Sequence, residues 1–140
     1  MTYLDSAIIV KLYIDEPNSE HWRRTVGSRT DLASSALAYP EVKCALRRNT
    51  LAGLIKLPNS KRIWDEFVKA VDAGIIHIFP LNTVVLDEPV RILDELPQSL
   101  ALRTFDTLHL APAKLHQCSI LATTDLRMRA GATALKIPLV

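Results

Sequence analysis

Residues 103–125 read RTFDTLHLAPAKLHQCSILATTD, and the fold turns on how this stretch is interpreted. In its first half Phe105, Leu108, Ala111 and Leu115 recur at three- and four-residue intervals, which predicts a helix with that stripe facing a core. Asp106 and His109 lie one turn apart on a neighbouring face. Ser119–Thr123 (SILAT) is a short apolar run of the kind a buried parallel strand shows. Asp125 comes next, where such a strand would emerge at its carboxyl end. In open α/β sheets that edge is where ligands bind. The stretch therefore delivers two acids to one place from adjacent elements.

Working outward, the same alternation repeats. Thr2–Leu4 is a short strand, after which Asp5-Ser6 opens a helix to about Tyr13. Asp15-Glu16-Pro17 predicts a second helix with proline in its first turn, closed by Gly27. Leu32-Ala33 is the next strand, with Ser34-Ser35 expected to cap a helix carrying Pro40, Glu41, Cys44, Ala45 and Arg48. Gly53 and Pro58 precede a helix over about 60–73, which Gly74 ends. Ile75–Phe79 is a third strand, and Asn82-Thr83 caps a helix that Pro89 should bend or split. With SILAT and a last strand over Ile137–Val140, five strands alternate with helices. The pattern predicts one α/β domain over 1–140, a parallel sheet covered by helices on both faces.

Composition narrows the class. The 140 residues are 49% hydrophobic and 23% charged, a globular balance that excludes disorder. A formal charge of +2 permits a nucleic-acid partner without arguing for one. Cys44 and Cys118 sit far apart in apolar contexts, which predicts buried free thiols and a reducing, cytoplasmic compartment. The opening MTYLD has neither a basic nor an apolar leader region, and no apolar run approaches membrane-spanning length.

Asp5 and Asp125 end strands, while Glu41 and Asp106 open helices. If the first and fourth strands are neighbours, the four carboxylates converge on one crevice. Each acid has a plainer reading, Asp5, Asp106 and Asp125 as helix caps and Glu41 as a solvated helix residue. Together they would repel one another without a cation. Hard oxygen donors suit Mg²⁺ or Mn²⁺, and the chain has no Cys/His ligand spacing for zinc. His109 is read as a packed or hydrogen-bonded histidine, because an ion-activated water needs no imidazole.

YLDSA at the start, SSALAYPEVKCALRR at 34–48, LRTFDTLHLA at 102–111 and ATTD at 122–125 together resemble the PIN domain, and within it the VapC-type toxins of toxin–antitoxin pairs. The resemblance runs the length of the chain in order. It implies a PIN-like three-layer fold with a five-stranded parallel sheet, and metal-dependent endoribonuclease activity that leaves a 5′-phosphate. By it, Asp5, Asp106 and Asp125 would hold Mg²⁺ (or Mn²⁺) and Glu41 would complete the cage or orient a water. Ser6 and Thr123 would hydrogen-bond to the acids from behind. It also implies an RNA substrate, a homodimer and a small antitoxin, received in a groove near Leu12, Tyr13 and Trp22. Pro112 and Lys136 depart from the usual pattern, and neither touches an acid.

Two rivals remain. A phosphotransfer domain on a flavodoxin-like sheet lacks its marks. A dehalogenase-like phosphatase needs a second Asp where Ala7 stands, and a receiver needs an acid pair near its first strand and an Asp after the third. The other rival is a non-catalytic interaction module whose acids are only caps.

Overall fold

A computed structural model describes residues 1–140. Four strands, β1 (Thr2–Leu4), β2 (Leu32–Ser35), β3 (Ile76–Phe79) and β4 (Ile120–Ala122), form a parallel sheet in the order β3-β2-β1-β4. The helices are α1 (Ser6–Tyr13), α2 (Ser19–Val26), α3 (Ala38–Leu51), α4 (Leu57–Asp72), α5 (Thr83–Glu95), α6 (Thr104–Leu115) and α7 (Leu126–Ala134). Side chains alternate across the sheet, so each face needs its own cover. Leu4, Leu32 and Ile76 join one core with Ile8, Val42 and Phe67 of α1, α3 and α4. Tyr3, Ala33 and Leu121 join a second core with Ile92, Leu110 and Met128 of α5, α6 and α7. The result is the expected three-layer α/β arrangement. No helix is long and apolar enough to cross a membrane.

The sheet has four strands and not the five expected. The segment Ile137–Val140 contributes a single bridge, Leu121 to Leu139. The Leu121 amide donates to the Pro138 carbonyl at 2.8 Å and the Val140 amide to the Leu121 carbonyl at 3.2 Å. Pro138 has no N–H with which to lengthen the ladder. Lys136, in the preceding turn, adopts φ 59°, the conformation for which glycine is usual at such a place.

Several local expectations also shift. Pro17 lies in the turn before α2, which starts at Ser19 behind an N-cap Asn18 at φ 68°. Asn tolerates that left-handed conformation better than most residues. Ser34 and Ser35 finish β2 and do not cap α3. Ser34 donates to the Leu4 carbonyl at 2.8 Å, and Ser35 accepts from the Leu37 amide at 3.2 Å. Helix α4 starts three residues earlier than expected, with Pro58 in its first turn. Pro89 and Pro112 sit inside α5 and α6, each of which continues past its proline. Both thiols are free, but Cys44 is exposed and only Cys118 is buried.

The apolar stripe expected on α6 is only part of its buried face: Ala111 is fully buried and Leu108 and Leu115 are partly so. Phe105 is 56% exposed, whereas Asp106, Thr107, His109, Leu110 and Ala113 are buried. Helix α6 packs against α5, α7 and β2, so it is enclosed on several sides and a stripe count misjudges it. Gly131 lets α7 approach closely. A Cβ there would stand 2.8 Å from Leu110 Cδ1 and 3.1 Å from Leu102 Cδ2.

Candidate active site

Strands β1 and β4 are neighbours whose connections leave in different directions, which makes their carboxyl ends the switch point of the sheet. Tyr3 pairs with Leu121 and Leu4 with Ala122, so the residues after each strand emerge side by side. The Asp5 amide continues the ladder to the Ala122 carbonyl at 3.1 Å. Asp5, Ser6, Glu41, Asp106, His109 and Asp125 all line one hollow of about 180 Å³. Four separate junctions supply its acids: β1–α1, the first turns of α3 and α6, and β4–α7.

Three of these acids also cap helices. Asp5 Oδ1 accepts from the Ile8 amide at 2.8 Å. Asp106 Oδ2 accepts from the Arg103 amide at 2.8 Å, and Asp125 Oδ1 from the Arg127 and Met128 amides at 2.8 and 3.0 Å. Capping leaves Asp106 Oδ1, Asp125 Oδ2 and Glu41 Oε1 free of protein donors. The two readings therefore coexist at Asp106 and Asp125, where one oxygen caps and the other has no protein donor, while both oxygens of Asp5 are engaged, by the Ile8 amide and the Thr123 hydroxyl.

Thr123 links two of the acids. Its hydroxyl donates to Asp5 Oδ2 and accepts from the Asp125 amide at 3.0 Å. Asp5 is 4% exposed, and burial pushes its carboxyl above the usual carboxylate range. The hydrogen bonds from Thr123 and the Ile8 amide oppose that rise, and the charge of Glu41 adds to it.

Sequence reasoning missed a chain of hydrogen bonds behind Glu41. Tyr3, fully buried on β1, places its hydroxyl 2.9 Å from His109 Nδ1. His109 Nε2 lies 2.8 Å from Glu41 Oε2, which also accepts from the Ser6 hydroxyl. Burial opposes ionisation of Glu41, yet the bonds from His109 and Ser6 outweigh it and hold the carboxyl below its ordinary value. Burial drives the Tyr3 hydroxyl far above its ordinary value, so it stays protonated. An ionised Glu41 can only accept, which makes Nε2 the donor. With a neutral ring, Nδ1 then accepts from Tyr3. A buried aromatic with a polar tip in the first strand was the available signal, since such a hydroxyl needs a partner.

The donor set is all carboxylate, hydroxyl and imidazole, the chemistry that suits a hard divalent cation at the acids. As the side chains stand, no group of three or more His, Cys, Asp or Glu is arranged to hold a metal ion. The fit is one of donor type.

The PIN domain family profile matches residues 2–133. Ribonuclease VapC46 of Mycobacterium tuberculosis (strain ATCC 25618 / H37Rv) is 35% identical over 135 residues, spanning 95% of this chain and 91% of that protein. A chain in a toxin–antitoxin complex from Klebsiella pneumoniae superposes with a TM-score of 0.67, covering 100% of this chain and 96% of its own length. Its 16% identity makes that a likeness of fold alone.

Proposed function

The chain belongs to the PIN domain family, and from that premise we propose that it is a Mg²⁺- or Mn²⁺-dependent endoribonuclease, the toxin of a toxin–antitoxin pair. One observation carries the reading: four acids from four different junctions line a single hollow at the sheet's switch point. Helix caps alone would not need to converge. The similarity to a protein named as a ribonuclease supplies the substrate class.

In this reading Asp5, Asp106 and Asp125 would hold the ion, which when bound would activate a water and neutralise charge developing on the phosphate. Thr123 fixes the rotamer of Asp5. Glu41, kept ionised by His109 and Ser6, orients the water and draws on its proton. The water oxygen adds to phosphorus as the P–O3′ bond breaks, leaving a 5′-phosphate and a 3′-hydroxyl that takes up a proton. The test is incubation with pooled single-stranded RNA and Mg²⁺ or Mn²⁺, then end mapping. New 5′-phosphate ends that vanish with a chelator are expected; cleavage that persists in chelator would contradict the reading.

The protein is expected to act in the cytoplasm as one nuclease domain over residues 1–140, restrained by a small antitoxin. Trp22 is 5% exposed and belongs to the core, so among the groove residues expected from sequence only the partly buried Leu12 and Tyr13 reach the surface. A homodimer is supported by α5, where Leu86, Val90 and Leu93 form an i, i+4, i+7 stripe about half exposed. Light scattering should find wild type at twice the chain mass of 15.6 kDa and Val90→Glu at the monomer mass. Two proteins of equal mass would remove α5 as the interface.

A further inference from the structure

A larger cavity of about 420 Å³ adjoins the acid hollow, and the two share Ser6, Ala7, Glu41 and Phe105. Val10, Pro40 and Ala45 give it apolar walls, and Arg48 lines it too. Phe105 stands at the junction of the two spaces, 56% exposed, where folding gains little from an aromatic ring. Arg48 lies seven residues after Glu41, two turns along the same face of α3 and roughly 10 Å away. Glu16, the acid remote from the hollow, already pairs with Lys11 at 3.2 Å. A third cavity, of about 440 Å³, shares Cys44 with the second and is lined by Lys43, Arg47 and Lys61. From one end to the other, the surface along α3 thus passes from acids to an apolar pocket with an exposed ring, then to cations.

A nucleotide presents the matching order, a phosphate to be cut, a flat apolar base and further phosphates. We infer that the 420 Å³ cavity is the subsite for the nucleotide next to the cut. Its base stacks on Phe105, its phosphate meets Arg48, and the strand continues across Lys43, Arg47 and Lys61. This deepens the nuclease reading and rests on it. Stacking on an exposed ring tolerates any base, so Phe105 contributes affinity and register more than sequence choice. A protein segment is the competing occupant. It would be gripped by apolar burial, for which a leucine serves as well as an aromatic ring.

The test uses the whole chain, a fluorescein-labelled 12-nucleotide RNA of randomised sequence, and anisotropy in EDTA at several salt concentrations. Phe105→Leu should weaken binding roughly tenfold, and Phe105→Trp should restore it to about the wild-type value. Arg48→Gln should weaken binding and reduce the log–log salt slope by about 0.7, the loss of one single-strand phosphate contact. Lys136→Gln, an equal loss of charge at the opposite edge of the sheet, should change neither. All replaced side chains are exposed, and thermal unfolding of each variant checks that it is folded. If wild type binds RNA and Phe105→Leu and Arg48→Gln bind equally well, the subsite is wrong and the nuclease reading stands. Phe105→Trp as weak as Phe105→Leu also overturns stacking. If wild type does not bind RNA in EDTA, the subsite is wrong, and the cleavage assay with Mg²⁺ or Mn²⁺ decides the nuclease reading separately.

Discussion

Asp125→Asn is expected to lower RNA cleavage at least about a hundredfold, the scale seen when an electrostatic contact to the reacting centre is removed, with almost no change in melting temperature. The two effects separate because Asp125 has two jobs. Its Oδ1 caps α7 through the Arg127 and Met128 amides. Asparagine caps a helix as well as aspartate, so that contribution survives. Its Oδ2 has no protein partner and borders the hollow, and there an uncharged amide is a poor substitute for a carboxylate beside a divalent ion. Asp125→Ala removes both functions and should also lose about 1 kcal/mol of stability. Were Asp125→Asn as active as wild type, Asp125 would be a cap and nothing more. Cleavage rates and melting curves on the three proteins decide this.

His109→Ala should be among the more destabilising changes near the hollow, by about 2–4 kcal/mol. The ring is 3% exposed, and removing it opens a void and strands the fully buried Tyr3 hydroxyl. Glu41 is half-buried and can recover water, so most of the loss falls on the Tyr3 side. Tyr3→Phe alone should cost about 1–3 kcal/mol, because the His109 Nδ1 acceptor is then unpaired. Adding Tyr3→Phe to His109→Leu replaces both partners by apolar groups, and the pair should cost about 1–2 kcal/mol less than the sum of the single changes. Denaturant unfolding of the four proteins measures that coupling. A strictly additive result would mean that the 2.9 Å contact contributes nothing to stability.

The first four strands and the edge carrying the acids were readable because they depend on short apolar runs and on the residues immediately after each run, whereas the pairing of the first strand with the fourth was a condition that only the sheet itself supplies. SILAT leading into TD reads as a buried strand emerging beside a helix start. The burial of α6 was readable only in part. Periodicity ranks residues by hydrophobicity, whereas α6 turns Asp106, Thr107 and His109 inward, where hydrogen bonds offset their polarity, and leaves Phe105 in water. The last strand failed for a local reason, Pro138, whose missing donor limits pairing to one bridge. The Tyr3–His109–Glu41 chain joins residues up to 106 positions apart; the Tyr3 hydroxyl signals that a partner is needed, but nothing in the local sequence says which residue it is.

Whether the hollow takes a cation is tested most directly by thermal unfolding of wild type and Asp5→Asn, each with and without Mn²⁺ or Mg²⁺. Burial raises the Asp5 carboxyl above its unfolded value. Its favourable contribution is therefore complete below the unfolded pKa and is lost as pH rises through the folded one. Above that range an ionised Asp5 opposes folding unless a cation compensates. Without metal, Asp5→Asn should be as stable as wild type or more so, with the gap narrowing as pH falls. With metal at a hundredfold excess over its Kd, wild type should gain about 2.7 kcal/mol and the variant much less. If neither protein responds to the ion, Asp5 is a helix cap that asparagine replaces without loss, and the nuclease reading has no chemical basis.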